Sequence, residues 1–174
     1  TLTINKAALT ITGNSSTVTY SGVNQSVSGY TASGLQGSDT VSVLTNVSAT
    51  GATAKNAGSY TNAVTVGTEA NYDVTATNGT LTINKANATV TANGSTVTYN
   101  GSSQSVSGFT ASGLVNGETT AVLTGVSATG SGTNAGTYVT QATGTDSNYN
   151  LSFVNGTLTI NKAALTITGN SSTV

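Results

Sequence analysis

Ionisable side chains are so few in this chain that each can be weighed for chemistry. There are four Lys and five acids, with no His, Cys or Arg. Lys6, Lys85 and Lys162 recur within an NKA tripeptide, Asp39 matches Glu118, and Glu69 matches Asp146, whereas Lys55 and Asp73 have no counterpart. Lys6 with Asp39 or Glu69 supplies the residue types for an intramolecular isopeptide bond, which joins a buried lysine to an Asn beside a carboxylate. The lysines lie in polar linkers rather than between apolar strand positions, which disfavours that reaction. Calcium needs several carboxylates converging on one ion, and five acids spread over 174 residues are too few. The close pair Glu69 and Asp73 is not retained in the second copy, and no general base accompanies the many Ser and Thr residues. The sequence nominates no catalytic, cofactor-binding or metal-ligating residue, and no enzyme activity or cofactor is expected.

Low charge also excludes classes of partner. Nucleic-acid binding needs clustered Lys or Arg to displace counterions, and binding to an anionic membrane surface fails on the same ground. No apolar run is long enough for membrane insertion, and any secretion signal is expected outside these residues. TxT patterns such as residues 10–12 and 96–98 raise ice binding, but that needs long rows stacked on one flat face; outward Thr on half-buried strands explains them more simply. The aromatics align as Tyr20 with Tyr99, Tyr30 with Phe109, Tyr60 with Tyr138 and Tyr72 with Tyr149. Exposed, they would make platforms for glycans. Their alternation with other apolar residues places them in the core, with hydroxyls reaching backbone or water. Asn-x-Ser/Thr sequons, among them Asn14, Asn24, Asn46, Asn93 and Asn150, follow from composition and permit glycosylation.

The elements that carry these residues are organised by repetition. Residues 17–35 (TVTYSGVNQSVSGYTASGL) return as residues 96–114 (TVTYNGSSQSVSGFTASGL), and NAGSY at 56–60 returns as NAGTY at 134–138. The two copies are 79 and 77 residues long, and residues 157–174 repeat residues 1–18 letter for letter, so a parent protein alternating the two types has a period of 156. Within each copy the apolar period is two, as at Leu2/Ile4, Leu9/Ile11, Val18/Tyr20 and Leu81/Ile83, and no stretch keeps helical spacing. Asn-Gly pairs at 78–79, 93–94, 100–101, 116–117 and 155–156 read as tight hairpin turns. The expected fold is all-β: tandem small antiparallel β-sandwich-like domains in a linear array. Residues 1–5 read as the last strand of a preceding repeat, 6–84 and 85–161 as two β repeat domains, and 162–174 as the start of a third. A joint with so little slack predicts a rod of limited bending. The uncharged, Pro-free end segments predict end-to-end homo-association, beside contacts with neighbouring repeats of the same chain.

The endings NYDVTATNGTLTINKA and NYNLSFVNGTLTINKA, the NAG[ST]Y segment and SGLVNGET resemble the MBG and YDG repeat domains of very large bacterial adhesins and filamentous-haemagglutinin-like exoproteins. The family's usual Tyr-Asp-Gly or Tyr-Gly stands here as Tyr20-Ser21-Gly22 and Tyr99-Asn100-Gly101. The resemblance implies secretion, display on a bacterial surface or in an extracellular matrix, a spacer or fibre role, and no catalytic residues. Glycan binding or homophilic adhesion is the competing expectation.

Overall fold

A computed structural model describes residues 1–172. The chain falls into two compact units: unit 1 holds Thr1–Ala86 with Val115–Gly117 and Ser147–Tyr149, and unit 2 holds Asn87–Leu114, Glu118–Asp146 and the residues from Asn150 onward. The first repeat forms β1 (Ala7–Gly13), β2 (Ser16–Thr19), β3 (Gln25–Val27), β4 (Tyr30–Ser33), β5 (Val47–Ala49), β6 (Ala52–Ala54), β7 (Gly58–Asn62), β8 (Val64–Val66), β9 (Tyr72–Thr77) and β10 (Gly79–Asn84). The second forms β11 (Ala86–Ala92), β12 (Ser95–Thr98), β13 (Gln104–Ser107), β14 (Phe109–Ser112), β15 (Val126–Gly132), β16 (Gly136–Gly144), β17 (Tyr149–Val154) and β18 (Gly156–Asn161). Single 3₁₀ turns at Val41–Val43 and Thr120–Val122 are the only helical elements among the described residues. Lys85 alone separates β10 from β11.

In the first repeat, β4-β1-β9 make one sheet and β2-β10-β7 a second, while β3-β6 and β5-β8 form two ribbons. Period-two patterning turns Leu9 and Ile11 of β1 and Leu81 and Ile83 of β10 inward, and all four are buried. Leu9 and Ile11 pack with Leu44 and Tyr72, against which Ala32, Val47, Val64 and Val74 close. The second repeat keeps the three-stranded sheet as β14-β11-β17, with Ala88 and Val90 buried where the first has Leu9 and Ile11.

The expected purely antiparallel architecture is corrected: the sheets that hold β1, β2 and β12 mix parallel with antiparallel pairs, while the β3-β6 and β5-β8 ribbons are antiparallel. β1 runs parallel to β9, β2 parallel to β10 and β12 parallel to β18. Period two records which face is buried, not which way the neighbouring strand runs, and the parallel partners lie at opposite ends of a repeat, so the intervening chain supplies the crossover. The Asn-Gly pairs are corrected too. β9 and β10, which flank Asn78-Gly79, lie in different sheets, as do β11 and β12 around Asn93-Gly94 and β17 and β18 around Asn155-Gly156. There the chain steps between sheets. Gly79 is needed because a Cβ would collide with the Asn14 carbonyl oxygen. Of the Asn-Gly pairs, only Asn116-Gly117 has both residues at positive φ, 53° and 69°.

One substitution accounts for the largest difference between the copies. Asn62, fully buried, donates through Nδ2 to the carbonyls of Asn14 (3.0 Å) and Gly29 (2.9 Å), and its Oδ1 accepts from the Gly51 N–H (2.9 Å). Gly51 is thereby held at φ 75°, off the extended path, and the chain on either side is cut into β5 and β6, and β7 and β8. The aligned residue in the second repeat is Thr140. Its hydroxyl is buried and meets no protein hydrogen-bond partner. Without a long amide to draw it aside, Gly130, the counterpart of Gly51, is not among the positive-φ glycines, and β15 and β16 run unbroken in a five-stranded sheet, β12-β18-β16-β15-β13.

Asn62→Ala strands three backbone groups at a buried site and should cost unit 1 roughly 3 kcal/mol, taking about 1–3 kcal/mol per unsatisfied group with partial relaxation. Thr140→Val removes an unpartnered hydroxyl at nearly constant shape and should leave unit 2 unchanged or up to about 1 kcal/mol more stable. Urea denaturation of both variants checks the contrast; equal losses would remove Asn62 from its hub role.

Candidate functional site

One acid and one tyrosine singled out by sequence, Asp39 and Tyr72, meet at a loop that closes the first repeat. In the first repeat, Tyr72 at the start of β9 points its hydroxyl at the loop after β4: it donates to Asp39 Oδ2 (2.6 Å) and accepts from the Gln36 N–H (3.0 Å). The second repeat builds the same closure, with the Tyr149 hydroxyl accepting from the Val115 N–H at 3.0 Å. Val115 belongs to SGLVNGET and Tyr149 to NYNL, so two separate pieces of the sequence resemblance are two sides of one contact. The bond donated to Asp39 favours the neutral phenol and raises the Tyr72 pKa above its ordinary 10.0; burial acts in the same direction, and the Gln36 N–H opposes it.

Glu69 is buried, and its Oε1 accepts from the Asn46 N–H at 2.7 Å. Lys6 donates through Nζ to the backbone carbonyl oxygen of Glu69, also at 2.7 Å, and the Asn46 amide donates to the Thr68 carbonyl. Lys6 and Glu69, paired above as an isopeptide candidate, are thus neighbours. The amine faces a peptide oxygen, and the carboxylate holds a loop amide, so the arrangement ties the residue before β5, the loop after β8 and the joint residue together. An open cavity of about 480 Å³ lies beside them, lined in part by Lys6, Asn46, Glu69 and Tyr72. Asp39 faces Tyr72 rather than Lys6 or Glu69. Asp73 follows Tyr72 on β9 on the outward face. Among the described residues no three His, Cys, Asp or Glu side chains group together.

Of the aligned aromatics, Tyr20, Tyr72 and Tyr149 are buried, Tyr30, Tyr60, Phe109 and Tyr138 are half-buried, and Tyr99 is exposed. Tyr60 and Tyr138 donate to the carbonyls of Asn56 and Asn134 at 3.0 and 2.9 Å, the same corner in both copies. Several sequon amides are already engaged: Asn14 and Asn93 donate to Ser28 and Ser107 carbonyls. Asn62, whose side chain bonds three backbone groups, was not singled out by sequence. Its one signal is a polar side chain at the inward end of an alternating strand, and its counterpart Thr140 obscures that signal in the alignment.

Tyr72→Phe should free the loop at Gln36 and Asp39, seen as faster amide exchange of Gln36. Because the folded-state pKa of Tyr72 is raised, its stabilising contribution is complete below pH 10 and is lost as pH rises through the folded-state value. Ultraviolet titration should therefore show a tyrosine ionising above the ordinary range in the wild-type chain and absent in the variant; identical titrations would contradict the closure.

In each repeat the Tyr of the Tyr-x-Gly tripeptide donates its N–H to the end of the last strand, Tyr20 to the Asn84 carbonyl and Tyr99 to the Asn161 carbonyl, both at 2.8 Å. Two residues on, Gly22 and Gly101 turn the chain at φ 75° and 82°, values that favour glycine, while the middle residue varies between Ser21 and Asn100. Comparison with curated proteins and with solved structures finds no match. The family model for the MBG domain of the YGX type matches residues 9–82 and 88–159, most of the chain. The chain thus belongs to the MBG domain family and carries two tandem copies of the domain.

Proposed function

We propose that this chain is a non-catalytic structural repeat of a secreted bacterial surface or matrix protein, acting as a spacer that holds a binding region away from the cell. The observation that carries the proposal is how the described reactive groups are used, the tyrosines in both copies and the acids in the first. The Tyr72 and Tyr149 hydroxyls are bonded to loop amides in equivalent places, and Asp39 and Glu69 are bonded to Tyr72 and Asn46. Side chains spent on closing loops in this way serve a folded scaffold rather than a substrate. Support also comes from the single residue, Lys85, between the last strand of one repeat and the first of the next, since a linker without slack suits a spacer that transmits position.

Small-angle scattering of chains with two, four and six repeats tests the spacer. The maximum dimension should grow almost in proportion to repeat number. Growth as the square root of repeat number, the behaviour of a flexible chain, would overturn it.

A further inference from the structure

Unit 1 contains a small joint that unit 2 offers open. Within unit 1, Asn148 Oδ1 accepts from the Ala57 N–H at 2.9 Å, and Asn148 Nδ2 reaches Asn56 Oδ1 at 3.3 Å. The neighbouring Tyr149 ring meets Tyr20 edge to face, with centroids 5.4 Å apart and planes at 81°, a geometry that adds to simple burial. Tyr20 is left only 4% exposed.

The counterparts of the receiving residues in unit 2 are Tyr99, Asn134 and Ala135. They line an open cavity of about 540 Å³ together with Lys162, Ala163 and Leu165, and Tyr99 is 41% exposed. The receiving corner is already shaped. The Tyr138 hydroxyl holds the Asn134 carbonyl as Tyr60 holds that of Asn56, and the Tyr99 N–H is fixed to Asn161 as that of Tyr20 is to Asn84. A surface built in advance loses little freedom on being covered. Residues 157–174 have the sequence of residues 1–18, so the repeat type that opens after Lys162 is the first. In that type the Asn-Tyr pair is Asn71-Tyr72, and Asn71 is exposed.

We propose that Tyr99, Asn134 and Ala135 are the docking surface for the Asn-Tyr corner of a following repeat of the first type. The docking Asn bonds the Ala135 N–H and the Asn134 side chain, and the docking Tyr lies edge-on to Tyr99. Few contacts suffice, because the short linker makes the encounter intramolecular.

The proposal rests on the tandem-repeat reading, and its test separates the two. The probe is the present chain lengthened after Val174 by residues 19–162 of its own sequence, continuing the period. Amide exchange at Ala135 should slow at least tenfold relative to the 174-residue chain, and chemical nitration of Tyr99 should fall similarly. Asn71→Ala in the added copy should restore both. A control needs no added repeat: Asn148→Ala in the present chain should speed exchange at Ala57 at least tenfold and open Tyr20 to nitration. Unchanged Ala135 and Tyr99 in the lengthened chain, with the added copy's Gly51 amide protected as a sign that it has folded, would overturn the docking surface while leaving the spacer standing. Shielding of Tyr99 by soluble oligosaccharides but not by added repeats would overturn it in favour of a glycan platform. Unchanged exchange at Ala57 in Asn148→Ala would remove the joint on which the proposal is built.

Discussion

Every strand end leaves backbone donors and acceptors to be satisfied, and a fold made of strands three to nine residues long has many ends. In this protein neutral amide and phenol side chains meet much of that demand. Asn62 serves three backbone groups at once. Asn14 and Asn93 hold the turns at Ser28 and Ser107, while Asn78 and Asn155 accept from the N–H groups of Val64 and Ala142 where the chain steps between sheets. Abundant Asn is thus a structural requirement of short strands that change sheets, and the sequons are a by-product of it.

The same economy explains how so little charge suffices. A buried ion pair must offset the cost of removing two charges from water, whereas an amide matches a peptide group with no such cost. Among the described residues Glu69 is the one buried acid, and its carboxylate is bonded to a backbone N–H. The closures made by amides are also little affected by salt, since screening acts on charges and not on amide hydrogen bonds.

Much of this was legible in the sequence. Leu9, Ile11, Leu81 and Ile83 announce buried faces by their spacing, and the internal alignment marks which loops correspond. Strand direction was not legible, because alternation is the same for parallel and antiparallel neighbours. Asn-Gly misled for a physical reason: at Gly79 the glycine answers a close approach of another backbone, not a left-handed turn. The polar closures were half legible. The tyrosines and acids could be picked out as aligned residues, but their pairing joins positions as far apart as Asp39 and Tyr72, and nothing local links them. Asn62 was hidden because its role depends on three turns that only the folded chain brings together.

Residues 80–84 and 157–161 both read TLTIN, and both form the last strand of a repeat with Leu81 and Leu158 0% exposed. Strand propensity alone does not hold such short strands; their partners do. β10 is held by β2 on one side and β7 on the other, and β1 by β4 and β9. Because the first strand of the repeat needs the ninth, and the second needs the tenth, neither sheet is complete until nearly the whole repeat is available. Closure of such long loops precedes the contacts that reward it, which slows the assembly of both sheets relative to a fold of local hairpins.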